Sequence, residues 1–149
     1  IFSGMCSYLI LRNQSTAAAE DSLTGLISND GYLKAPPDAT PYTTWVTVEC
    51  HHVTWRTYKD GRKEHVLVCR EEITGKIVLR KYYLKPPPAK ILPRHGFYKD
   101  CCILLDVLSY DGELSPKSFV GRRLLAVLYS VRDQRTNNEQ GYYRVKNFI

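Results

Sequence analysis

Between Trp45 and Leu84 the chain runs through three extended segments in which apolar and polar residues largely alternate. The first reads W-V-T-V-E-C-H-H-V-T-W-R-T-Y, the second R-K-E-H-V-L-V-C-R-E-E and the third K-I-V-L-R-K-Y-Y-L. Lys59-Asp60-Gly61 separates the first two, and Thr74-Gly75-Lys76 precedes the third. An Asp-Gly pair between runs rich in Val, Thr, Tyr and Trp signals a hairpin, because glycine reaches positive φ at no steric cost. The apolar phase slips inside the first run. Val46, Val48 and Cys50 share one face, whereas Val53 and Trp55 share the other. One extra residue near His51-His52 reconciles them, as a β-bulge does where a strand bends. In the second run Val66 and Val68 alternate with Leu67 and Cys69, so both faces are partly apolar.

Shorter patterns surround this meander. Ser7–Arg12 reads as a first strand. Thr16–Ile27, with three consecutive Ala, reads as a short helix capped at Ser15 or Thr16 and weakened at Gly25. Asn29-Asp30-Gly31 is a turn, and Lys34–Pro41 with its three prolines an irregular loop. Lys85-Pro-Pro-Pro88 ends the third long strand, since proline removes a ladder donor. His95-Gly96 marks a loop. Cys101–Tyr110 is the most apolar run and is expected to be a strand closed by Asp111-Gly112. Pro116 breaks the chain again. Leu124–Arg132 reads as a buried strand whose composition also allows a helix, Thr136–Gln140 as a polar turn, and Tyr142–Ile149 as a last edge strand. Seven or eight strands with one short helix predict a mainly β, antiparallel barrel or sandwich.

The 149 residues suit one domain over 1–149 with a real core. Hydrophobic residues make up 44% and charged residues 24%, an ordinary globular balance. Tyr accounts for 11 residues, and its apolar body with a polar tip suits half-wet cavities and interfaces as well as strands. The net charge of +6 admits nucleic acid, anionic membranes or acidic ligands as partners, or simply a solvated basic surface. No apolar stretch is long enough to span a membrane.

Chemistry-bearing motifs are sparse. The five cysteines, Cys6, Cys50, Cys69, Cys101 and Cys102, form no C-x-x-C pair, which argues against a zinc ribbon or a thioredoxin motif. Two disulfides and a spare thiol fit a secreted domain; five buried thiols fit a cytosolic one. Cys101 and Cys102, on a strand, point to opposite faces, and one of them is expected to bond Cys50 or Cys6. Asn13 heads a glycosylation sequon. A chain opening at Ile1 is what removal of a secretory leader, or trimming, leaves behind, and secretion is the expectation. Adjacent His51 and His52 point apart on a strand and cannot share one metal, so no metal or cofactor is assigned. The pairs Glu20-Asp21 and Glu71-Glu72 face apart likewise and make poor acid/base dyads. With no nucleophile elbow, zinc-protease helix or phosphate loop, catalytic residues are not assigned and the chain is read as non-enzymatic. Arg80, Lys81, Tyr82 and Tyr83 interleave charge and aromatics, as nucleic-acid sheets do.

Three segments resemble the arthropod salivary lipocalins, especially the tick histamine-binding group. Ser7–Arg12 is similar to their first strand. Trp45 followed by Cys50 is similar to the Trp and Cys that open their second. Tyr98–Leu105, followed by Asp111-Gly112, is similar to their late Cys-bearing strand. The usual Cys-Glu-Leu-Trp strand and the C-terminal cysteines are absent. The resemblance implies a secreted, lipocalin-like up-and-down barrel that sequesters a small hydrophobic or amphipathic ligand. Tyr8, Trp45, Trp55, Arg56, Arg80, Tyr82 and Asp106 are the expected ligand-binding residues. Buried carboxylates would suit a biogenic amine, with Asp106 and Glu49 the strand-borne candidates. A basic interior with Arg80 or Arg56 inward favours a fatty acid or eicosanoid, the preferred ligand. A host protein is a possible partner and the alternative is an immune or haemostasis modulator; a nucleic-acid-binding β domain is the less favoured alternative.

Overall fold

The computed structural model describes residues 9–11, 31–36, 44–85, 89–132 and 141–149. Tyr8, Cys6, Asn13 and the helix expected over Thr16–Ile27 lie outside them. The described chain is mainly β, with strands β1 (Leu9–Leu11), β2 (Lys34–Ala35), β3 (Thr44–Thr57), β4 (Lys63–Glu71), β5 (Ile77–Leu84), β6 (Ala89–Ile91), β7 (Gly112–Leu114), β8 (Arg123–Arg132) and β9 (Gly141–Phe148). Helix α1 (Gly96–Leu105) precedes β7, and a single 3-10 turn, Pro116–Phe119, precedes β8. No helix among the described residues is long and apolar enough to cross a membrane.

The long meander forms as its alternation requires. β3, β4 and β5 pair antiparallel in sequence order. Gly61 at φ +87° closes the first hairpin, with the Gly61 N–H donating to the Tyr58 carbonyl and the Tyr58 N–H to that of Arg62. A left-handed residue after a turn of this kind matches the twist of the flanking strands. The expected bulge is present: the register of β3 against β4 shifts between Cys50 and His52. It brings Val53 into the same buried cluster as Val48 and Cys50.

β3 is 14 residues long because it serves two neighbours. Its first half pairs with β8 and its second half with β4. β9 then pairs antiparallel with β8 and touches β5 in parallel at Leu79 and Arg144. The strands thus form a closed ring in the order β9-β5-β4-β3-β8, with β2 added to β9. Up-and-down connection would place every strand beside its sequence neighbour; here β5 and β9 adjoin, and so do β3 and β8. Tyr142–Ile149 is therefore no edge. A separate sheet joins β1 to β6 antiparallel and to β7 in parallel.

The segment expected to be the most apolar strand is instead α1. Its buried residues, Phe97, Tyr98, Asp100, Cys101, Cys102 and Leu104, recur at helical rather than alternating spacing. The His95 Nδ1 accepts from the Phe97 N–H and caps the start. Asp106, left-handed at φ 56°, donates its N–H to the carbonyls of Cys102 and Ile103 and ends it. On a helix Cys101 and Cys102 share the buried side rather than facing apart.

Side chains fill the ring. Tyr82, Phe97, Phe119 and Phe148 run through it with successive ring centroids 5.0, 6.2 and 5.8 Å apart, each such contact adding about 0.5–1.5 kcal/mol to the burial itself. Leu67, Cys69, Val78, Leu128 and Val145 pack around them. On the other face of β4 and β5, Val66, Val68, Ile77 and Leu79 form a second buried cluster with Tyr32 against it. The two-sided apolar pattern of β4 thus reflects burial on both faces.

Candidate functional site

β5 sorts its four interleaved residues by alternation. Arg80 and Tyr82 turn inward, while Lys81 and Tyr83 turn outward. Inside, Asp100 on α1 is 1% exposed and accepts from Arg80 Nε at 2.8 Å and from the Tyr82 hydroxyl at 2.5 Å. The Phe148 N–H donates to its other oxygen at 3.3 Å. Burial, and after it the Asp100 charge, push the Tyr82 hydroxyl well above its usual range, so it stays a donor. A Cβ on Gly96 would stand 2.7 Å from Arg80 Nη2, so a larger residue there would have to displace the end of the guanidinium that Asp100 holds. This node ties helix to ring: Arg80 and Tyr82 both bond Asp100.

The remaining residues nominated for ligand binding are dispersed. Trp55 is 5% exposed in the interior, whereas Trp45 is 62% exposed on the outside. They do lie on opposite faces, as the bulge implies. Arg56 is exposed rather than inward. Asp106 is an exposed helix cap and not a strand residue. Glu49 is exposed beside His51. A pocket of about 490 Å³ is lined by Tyr32, Leu33, Lys34, Thr74 and Lys76, none of them among the nominated residues. The described cysteines carry no disulfide, and Cys50 faces Cys69 rather than Cys101 or Cys102.

A different cluster gathers on the outer face. Strand register sets Arg56, Glu64 and Tyr83 in one row across β3, β4 and β5, with Thr54, Val66 and Lys81 in the next. Arg144 joins from β9 opposite Leu79. Tyr58, just past β3, lies between two guanidinium groups, Arg56 at 5.7 Å and Arg62 at 5.5 Å from its ring centroid. Its hydroxyl donates to Glu64 Oε2 at 2.5 Å, and Lys81 Nζ stands 3.4 Å from Oε1. Arg144 donates to the hydroxyls of Tyr129 at 3.4 Å and Tyr142 at 3.2 Å. Tyr142 in turn packs on Tyr32 with centroids 5.3 Å apart.

Electrostatics follow from this crowding. Burial works to raise the Glu64 carboxyl, but the Tyr58 hydroxyl and Lys81 outweigh it and hold the group below its ordinary value. Burial and then the Arg144 charge lower Lys81, with Glu64 opposing. Arg62 pairs with Asp60 at 2.7 Å. Four cations, Arg56, Arg62, Lys81 and Arg144, therefore meet two carboxylates, Asp60 and Glu64, leaving a local surplus of positive charge. Tyr83, 53% exposed, offers an open ring beside them. Arg144 Nε is buried without a partner among the described residues. Stacking surfaces next to unneutralised cations can hold an anion that carries flat rings.

Arg80–Tyr83 drew attention in the sequence, but only its outward half, Lys81 and Tyr83, belongs to this face. Tyr58, Glu64, Tyr129, Tyr142 and Arg144 were not singled out. The hairpin register alone places Tyr58 and Glu64 beside Tyr83; the strands from the C-terminal part meet them only through ring closure. No family model, no curated protein and no solved structure matches this chain.

Proposed function

We propose that this chain is a non-enzymatic binding module that holds single-stranded nucleic acid on the outer face of β4 and β5. The observation that carries it is the cluster of Tyr58, Lys81, Tyr83 and Arg144, with Arg56 and Arg62, in which the exposed Tyr83 ring and the half-buried Tyr58 ring lie among a surplus of positive charge. Sequence-tolerant single-strand binders combine these two elements, with stacking worth about 1–3 kcal/mol per base. The ring supports the same view. A three-strand meander, a helix, then two strands that close the ring follow the element order of a five-stranded Greek-key barrel, the architecture whose second and third strands and first turn bind oligonucleotides and oligosaccharides. In this chain those strands are β4 and β5 and that turn is Lys59–Arg62. Fold analogy raises the weight of the proposal; the residues carry it.

A lipocalin-like cup holding a fatty acid or eicosanoid needs free space inside the ring. Trp55, Tyr82, Phe97, Phe119 and Phe148 occupy that interior, so the surface site is preferred here. One observation favours a protein partner instead. Trp45 and Leu125 on neighbouring strands and Ile149, whose N–H bonds the Leu125 carbonyl, are exposed large apolar residues.

Fluorescence anisotropy with labelled single-stranded and duplex oligonucleotides of mixed sequence tests the proposal. Preferential binding of the single strand, weakening with salt, is expected. Absence of oligonucleotide binding at low salt, or bound lipid found by native mass spectrometry, would overturn it.

A further inference from the structure

Cys50 on β3 and Cys69 on β4 are direct cross-strand partners at the edge of the bulge. Their sulfurs lie 3.4 Å apart and both residues are fully buried. The backbone shows which kind of pair they form. The Cys50 N–H donates to the Arg122 carbonyl at 3.0 Å, and the Cys50 carbonyl accepts from the Gly121 N–H at 2.7 Å. Both backbone groups of Cys50 thus point toward the segment leading into β8 and away from β4. Opposed residues whose backbones do not bond each other bring their Cα atoms to about 4.5 Å and their side chains closest together. That separation lies within the range of about 4.4–6.8 Å that a disulfide spans.

We infer that Cys50 and Cys69 are a dithiol that oxidises to a cross-strand disulfide within the folded ring. The sulfurs must close from 3.4 Å to about 2.0 Å, a shift that side-chain rotation on two adjacent strands supplies. With glutathione disulfide as oxidant the chemistry balances. One protein thiol, as thiolate, attacks a glutathione sulfur; a mixed disulfide forms and one glutathione leaves. The second protein thiol then displaces the other glutathione. One protein S–S bond replaces the glutathione S–S bond, two glutathione thiols take up the two protons, and two electrons pass from protein to oxidant. Hydrogen bonding between the sulfurs and burial raise the Cys69 thiol well above its ordinary value, so attack is slow. The bulge, where the ladder is already interrupted, is the place where opening is least costly. Among the described residues Cys101 and Cys102 lack such a partner: both sit on α1, and neither faces a described cysteine on a strand. This inference does not depend on nucleic-acid binding.

The test is to incubate the folded protein with glutathione disulfide, block remaining thiols and map the peptides without reduction. The expected product is a peptide pair linked through Cys50 and Cys69, in protein lighter by about two mass units, because two hydrogens are lost. By cross-linking the unfolded chain, the bridge is expected to raise the melting temperature by roughly 6–12 °C, reversed by dithiothreitol. Cys101→Ser/Cys102→Ser should keep the bridge, and Cys69→Ala should lose both the link and the shift. Where Cys69→Ala does not fold, peptide mapping of the native protein decides. A bridge from Cys50 or Cys69 to another cysteine overturns the inference. So does persistence of both as free thiols or glutathione adducts with an unchanged melting temperature.

Discussion

Lowering the pH should destabilise this protein through one buried imidazole before most carboxylates titrate. His65 lies on the inner face of β4, opposite Trp55 of β3 and Tyr82 of β5. It is 2% exposed, and its Nδ1 has no hydrogen-bond partner among the described residues. Burial, and after it the Lys63 charge, lower its pKa from 6.5 to about 4. In the unfolded chain the imidazole titrates near its ordinary value, about 6.5. Between the two values the unfolded state binds a proton that the folded state refuses, so stability falls as pH falls. The contribution is fully present above about 6.5 and fully lost below about 4. The difference, 6.5 minus 4, is about 2.5 units, or about 3.5 kcal/mol at roughly 1.4 kcal/mol per unit. About 2.5 kcal/mol of this is lost by about pH 4.5. Urea unfolding followed by Trp fluorescence, at about pH 7.5 and 4.5, measures it. His65→Phe removes the titration while keeping an apolar ring of similar bulk. The other histidines and the carboxylates are common to both proteins and cancel in the difference. If His65→Phe loses as much stability over this interval as the parent, the burial argument is wrong.

Asp100→Asn leaves the Arg80 charge buried without its counter-charge, and a loss of about 3–5 kcal/mol in denaturant unfolding is expected. Adding Arg80→Met should recover a large part of it; a loss under about 1 kcal/mol for the single change would mean the pair does not anchor α1. Gly61→Ala meets no atom within 4 Å, so only its φ of +87° matters; the cost should be about 1–2 kcal/mol, and smaller for Gly61→Asn. For oligonucleotide binding, Lys81→Ala should flatten the slope of log affinity against log salt by about 0.7. Tyr83→Ala should cost about 1–3 kcal/mol in affinity with the slope unchanged. Equal slopes for Lys81→Ala and the parent protein would place the phosphates elsewhere.

Local pattern made part of this structure legible. Asp60-Gly61 set the first hairpin, because a left-handed turn residue needs glycine and the flanking runs alternate. The phase slip at His51-His52 disclosed the bulge. Together they contain the Cys50–Cys69 contact: Thr57 opposes Lys63, and one bulge residue counted back along β3 sets Cys50 against Cys69. The apolar run Cys101–Tyr110 instead suggests a strand on which Cys101 and Cys102 face apart. Counting back to Phe97 and Tyr98 shows the spacing of 97, 98, 101, 102 and 104 that belongs to a helix. The apolar residues beyond it, Val107 and Leu108, are exposed and lengthened the apparent run.

Alternation along β5 determined that Arg80 and Tyr82 face one way and Lys81 and Tyr83 the other, because side chains on a strand change face at every residue. It could not say which face was inside. That was decided when Asp100, carried on α1, entered the ring beneath Arg80, and when β9 closed against β5 at Leu79 and Arg144. Both contacts join residues far apart in the chain, where neither turn chemistry nor periodicity acts. Burial of the aromatic interior and the Arg80–Asp100 ion pair hold them together. Hence the sequence by itself determined the long strands of the meander, their first turn and their bulge. Tertiary structure decided the strand order, the filled interior, and the outer face on which the cations and tyrosines meet.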